Sequence, residues 1–131
     1  MSCPACDGDR VRFAVPEALR PYAPDESAHA ALCTGCLRVE SADARDGLTA
    51  AIDWEPLPSG EAGVATALLL GLLDSLALRR ADVEALVDRA EAAGGDPLLA
   101  LDRLVGLAGA GEIDPSLDLE RRAAQLRSLL D

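Results

Sequence analysis

The chain has 131 residues, with 12 basic against 23 acidic groups, a formal charge of −11 and a pI near 4.4. That length suits one ordinary domain or two very small ones, and the charge predicts a soluble, self-repelling surface without a broad basic face. Half the residues are hydrophobic, yet Phe13, Tyr22 and Trp54 are the only aromatics, so the core must be built from Leu, Val and Ala, which favours closely packed helices. All twelve basic residues are Arg; Lys and Asn are absent and Gln125 is the single Gln. At about 1 M salt the Debye length is about 3 Å, and in such a solvent the acidity would say little about partners.

Two short cysteine pairs, Cys3-Pro4-Ala5-Cys6 and Cys33-Thr34-Gly35-Cys36, bracket the first unit, residues 1–40. Asp7-Gly8-Asp9 marks a turn. Val11, Phe13 and Val15 alternate with Arg10, Arg12 and Ala14, the period of a half-buried strand. Pro16 stops it, and 16–27 is irregular with room for one helical turn near Glu17–Arg20. Ala30–Leu32 reads as a second strand and Leu37–Glu40 as a third. Residues 41–59 form a connector in which Trp54 is expected to pack against one of its neighbours and pin them together.

From Ser59 the pattern becomes helical. Ser59 is placed to cap a first helix with Glu61 in its opening turn. Val64, Leu68, Leu69, Leu72, Leu73 and Leu76 make that helix apolar nearly all round, as in a buried central helix. Arg79-Arg80 breaks the run. Val83, Leu86, Val87 and Ala90 give a second helix one apolar face, ended by Gly94-Gly95. Asp96-Pro97 starts a third helix, with Leu98, Leu101, Leu104, Val105 and Leu107 as its stripe. Asp114-Pro115 repeats that signal ahead of a fourth, with Leu119, Ala123, Leu126, Leu129 and Leu130. The expected class is therefore α+β, mostly α: an N-terminal zinc ribbon of two or three short antiparallel strands (1–40), a connector (41–59) and a four-helix unit (60–131) with short, antiparallel-favouring loops.

Four cysteines in two pairs, each separated by two residues, predict a metal site with Cys3, Cys6, Cys33 and Cys36 as ligands. Zn2+ takes four thiolates at about 2.3 Å in a tetrahedron. Gly8 and Gly35 suit the tight turns this requires. About forty residues bury too little apolar surface to fold without a staple, and structural zinc supplies on the order of 10 kcal/mol in comparable sites. Chelation should therefore melt the ribbon while sparing the helices. Iron or an iron–sulfur cluster is the alternative occupant. A redox dithiol would want a helix N-terminus beside a βαβ pattern, and disulfides an oxidising compartment. Four thiolates leave no position for water, so the predicted role of Zn2+ is structural.

No catalytic set is legible. His29 is the only histidine and reads as a strand or surface residue, and without Lys no phosphate loop can be completed. The expectation is a protein without enzymatic activity. Met1-Ser2-Cys3-Pro4 lacks the basic start and apolar stretch of a secretory signal. The apolar run from Ala65 to Leu73 falls short of the ~20 residues of a membrane span, so a cytoplasmic location off the membrane is expected. Residues 1–40 hold four Arg against six acids, so the ribbon is no basic patch. Arg10, Arg12 and Arg38 beside Phe13 nevertheless offer a strand face for nucleic acid. The second and third helices mimic a helix-turn-helix, though with only Asp102 and Arg103 as polar groups to read bases.

The phrases CPAC…FAVP…ALCTGCL, SGEAGVATALLLGLLDSLAL and DPSLDLERRAAQL resemble a family of small haloarchaeal zinc-ribbon proteins of unassigned function. The resemblance covers most of the chain. It implies zinc at Cys3, Cys6, Cys33 and Cys36 and an archaeal cytoplasm, and it implies no activity. The acidic, Lys-free, Ala-rich composition matches a salt-loving archaeon; an acidic protein of a GC-rich bacterium is the alternative source. The first functional expectation is a zinc-ribbon adaptor or regulator whose helical unit binds a protein partner, or a second copy through the apolar first helix. The second is a nucleic-acid-associated ribbon in transcription or RNA metabolism.

Overall fold

The structure, a computed structural model, describes residues 2–131; Met1, and with it part of the reading of the chain start, lies outside them. Three strands, β1 (Arg10–Ala14), β2 (His29–Cys33) and β3 (Val39–Ser41), form an antiparallel sheet in that order. Four helices follow: α1 (Gly60–Leu72), α2 (Arg80–Ala92), α3 (Pro97–Gly109) and α4 (Leu119–Leu130). The fold is α+β and mostly helical, with the sheet at the N-terminal end.

The alternation in β1 works as its sequence dictates. Phe13 stands opposite Ala30 and Val11 opposite Leu32, and Phe13, Ala30 and Leu32 are fully buried. Small Ala30 leaves room for the ring of Phe13. Pro16 ends the strand, and two short 3-10 turns, Glu17–Tyr22 and Pro24–Glu26, carry the chain to β2 while burying Leu19 and Ala23. The connector does more than bridge: the Ala14 amide donates to the Thr49 carbonyl, so residue 49 runs beside the outer edge of β1 and covers part of an otherwise open strand edge.

α1 is the centre of the molecule. Ala62–Leu70 and Leu72 are all buried, and α1 touches β3, α2 and α3. A helix apolar all round needs neighbours on every side, and here its own chain supplies them. Its apolar surface is thus largely covered by its own chain. One cluster of buried side chains runs from Phe13, Val15, Leu19 and Leu32 through Val64, Leu68 and Leu69 to Leu86, Leu101, Leu104 and Leu126. The single buried polar side chain among the described residues, Thr66, donates its hydroxyl to the Ala62 carbonyl at 2.8 Å.

Helix boundaries follow the predicted signals with three exceptions. Ser59 holds the N-cap position of α1, but its hydroxyl makes no capping bond. α1 ends at Leu72 and passes into a 3-10 turn at Leu73–Ser75, so Leu76 is buried beyond the helix. α4 starts at Leu119 rather than at Asp114-Pro115, because Asp118 caps it through a bond from the Arg121 amide at 3.2 Å. Asp96 and Gly94 act as expected: the Asp96 carboxylate accepts from the Leu99 amide at 3.0 Å, and Gly94 takes a φ of 90° after α2. Trp54 is half-buried. It packs on the core and also lines an open groove of about 850 Å3 with Pro56, Arg103 and Leu107.

Candidate metal centre

The four cysteines converge. Their sulfurs all lie within 4.8 Å of one another, with Cys6 and Cys33 3.4 Å apart and Cys3 and Cys36 3.9 Å apart. A tetrahedron of thiolates around one cation at about 2.3 Å has edges of about 3.8 Å, between those two spacings. Cys3, Cys33 and Cys36 are buried and Cys6 is exposed. His29 opens β2 opposite Ala14, its carbonyl accepting from the Ser27 hydroxyl, and is not a member of the cluster.

The two cysteine turns are built alike, thirty positions apart. The Cys3 amide donates to the Gly8 carbonyl and the Asp7 amide to the Cys3 carbonyl. The Cys33 amide donates to Arg38 and the Leu37 amide to Cys33 in the same way. Ser2 bridges Asp9 as Leu32 pairs with Val39. The residue after each pair, Asp7 (φ 62°) or Leu37 (φ 65°), takes the left-handed conformation. This corrects the role expected of the glycines, which make room instead. A Cβ on Gly8 would stand 3.1 Å from the Cys33 sulfur and 3.2 Å from that of Cys6. One on Gly35 would stand 3.5 Å from the Cys6 sulfur and 3.6 Å from the Gly8 Cα. The turns touch glycine to glycine, which is what lets four sulfurs share one point.

Donors surround the sulfurs. Gly8 donates to Cys6, Gly35 and Cys36 to Cys33, and the Arg38 guanidinium to Cys36, each at 3.4 Å. The Ala5 N–H, opposed by burial and joined by the Cys6 N–H and the Cys33 and Cys36 thiols, lowers Cys3 to about 7. The Gly8 N–H alone would lower Cys6, but the sulfurs of Cys33, Cys36 and Cys3, together with burial, push it up to about 12. Sulfurs this close hold one another in the protonated form, and a cation among them would relieve that. The bond to Cys36 also holds the Arg38 guanidinium more firmly in its charged form. Four soft donors, tetrahedral spacing and N–H groups aimed at sulfur fit a thiophilic cation held by protein ligands alone.

The second turn is fastened to the helices. The Asp114 amide donates to the Gly35 carbonyl at 2.8 Å and the Ser116 amide to the Cys36 carbonyl at 2.9 Å. The segment expected to start α4 is thus a clamp on the centre. Pro115, which has no N–H of its own, lies between the two donors. Cysteine spacing gives no sign of this clamp, or of Arg38 as a sulfur partner. The strand face is corrected as well: Phe13 lies in the core with no exposed surface, and Arg38 faces Cys36.

A sheet closed by four convergent cysteines and followed by four helices defines the class: a mostly helical α+β protein built on a four-cysteine candidate metal centre. The chain belongs to the family of unknown function DUF6276, whose model matches residues 2–130. No curated protein and no solved structure matches it. No helix among the described residues is long and apolar enough to cross a membrane.

Proposed function

We propose that the chain is a non-enzymatic zinc-ribbon protein in which Cys3, Cys6, Cys33 and Cys36 hold one structural Zn2+, acting as an adaptor or regulator through a protein partner. The observation that carries the reading is the closed set of four sulfurs, within 4.8 Å of one another and bonded by N–H groups. Such a set leaves no ligand position for water, which a catalytic zinc needs. A metal site that fastens the sheet to the clamp at Asp114–Ser116 shapes a scaffold.

The surface best suited to a protein partner is the groove lined by Trp54, Pro56, Arg103 and Leu107. Trp and Arg are over-represented among residues that carry binding energy at interfaces. The nucleic-acid reading loses support, because its one aromatic is buried and one of its three Arg faces sulfur. Metal analysis of purified, reduced chain, followed by capture of partners at the salt of the source cytoplasm, tests the proposal. One zinc per chain and a partner lost on Trp54→Ala support it. Absence of metal, or retention of RNA or DNA at molar salt, overturns it.

A further inference from the structure

Three of the four cysteines are nearly inaccessible, at 1 %, 1 % and 3 % for Cys3, Cys33 and Cys36, while Cys6 is exposed. Hydrogen bonding divides them similarly. Cys33 accepts two backbone N–H groups and Cys36 the Arg38 guanidinium, whereas among the described residues Cys6 accepts one backbone N–H, that of Gly8. Each such bond draws charge from a thiolate, and nucleophilicity falls as charge is withdrawn. The Cys6 sulfur also has a neighbour in reach, Cys33 at 3.4 Å. The turns differ in one further respect. Asp114 and Ser116 clamp the second, but among the described residues no backbone N–H reaches the corresponding Ala5 and Cys6 carbonyls of the first. The first turn is the half of the centre that can open without disturbing the helices.

We propose that Cys6 is an oxidation site that makes metal retention dependent on hydroperoxide; this rests on the metal-site reading above. The Cys6 thiolate attacks the terminal oxygen of the hydroperoxide. An S–O bond forms, the O–O bond breaks, and the alkoxide leaves and takes a proton to become the alcohol. The Cys33 thiolate then attacks the Cys6 sulfur. An S–S bond forms, the S–O bond breaks, and hydroxide leaves as water after protonation. The two sulfurs together give up two electrons, and the peroxide accepts both. The cation is left with Cys3 and Cys36 as its thiolates and is released. A dithiol reverses the change by restoring both thiols.

The test uses the full, metal-loaded chain and hydrogen peroxide. Metal release is followed with a chromogenic chelator, and the oxidised cysteines are identified by alkylation and peptide mass spectrometry. The expected result is loss of bound metal in step with a Cys6–Cys33 disulfide, and metal uptake again after dithiothreitol. A second measurement is independent of release: limited iodoacetamide should label Cys6 before the other three. Oxidation or labelling that begins at Cys3, Cys33 or Cys36 overturns the proposal, as does metal that stays bound under a large excess of peroxide. A chain without metal before peroxide is added defeats the metal-site reading instead.

Discussion

Two glycines and a single exposed cysteine set the chemistry of the centre at the scale of the residue. Gly8 and Gly35 meet at the point where the turns cross, so substitution at Gly8 acts on the sulfurs directly. The added Cβ of Gly8→Ala would press on Cys33 and Cys6 at 3.1 and 3.2 Å, and overpacking of this kind costs about 1 to 3 kcal/mol. Gly8→Ala should therefore weaken metal affinity by about fivefold to a hundredfold, read by competition with a calibrated chelator. Gly109→Ala, with open space around its Cβ and no positive φ, adds nothing to the centre, so it should leave affinity unchanged. Protonation gives a second expectation. Before the cation arrives Cys3 ionises near 7 and Cys6 only near 12, so metal uptake at neutral pH must expel protons. The sign follows: affinity rises with pH and falls as pH drops through about 7, where even Cys3 takes up a proton. Proton release in weakly buffered solution, with affinities measured between about pH 6 and 8, checks it.

Among the elements, α1 is held by contacts only glycine permits. A Cβ on Gly63 would overlap the Pro58 carbonyl, and one on Gly95 would lie 2.6 Å from the Ala62 Cβ. The first turn of α1, the Pro-rich end of the connector and the loop after α2 thus approach to backbone distance. Gly63→Ala should destabilise the fold by about 1 to 3 kcal/mol, seen as a lower midpoint of thermal or denaturant unfolding, while the cysteine centre still binds metal. Much of this architecture was legible in the chain. The alternation of Val11 and Phe13, the apolar stripes of the helices and the Asp96-Pro97 start are local signals, and local signals survive into the fold. The Asp114-Pro115 start failed for a physical reason. An Asp-Pro pair favours a helix N-terminus, but Asp118 caps one too, and the Asp114 and Ser116 amides find partners at Gly35 and Cys36 that no local pattern can foresee. Two close cysteine pairs announce a convergent site. The thirty-position equivalence of the turns, by contrast, shows in the sequence only as the spacing of the pairs themselves, and Arg38 gives no sign beyond lying two residues after Cys36.

For the whole molecule, the continuous core changes what metal removal should do. A ribbon folded independently would melt alone on chelation and spare the helices. Phe13, Val15 and Leu32 instead share one buried cluster with Leu68, Leu69 and Leu101, and the second cysteine turn is bonded to the Asp114–Ser116 segment. A strong chelator should therefore lower the thermal midpoint of helical and near-ultraviolet signals together, not leave a plateau of intact helix. Coincident transitions are the mark of a single cooperative unit. Two separated transitions would show the sheet and helices unfolding apart.

In the proposed centre four protein thiolates close around one cation. Cobalt(II) substitution with absorption spectroscopy tests it most directly, together with the zinc content of the purified, reduced chain. One metal ion per chain is expected, and for the cobalt form the strong visible bands of a tetrahedral site with sulfur-to-metal charge transfer in the near ultraviolet. A chain without bound metal, or a weak octahedral spectrum showing water among the ligands, would contradict it.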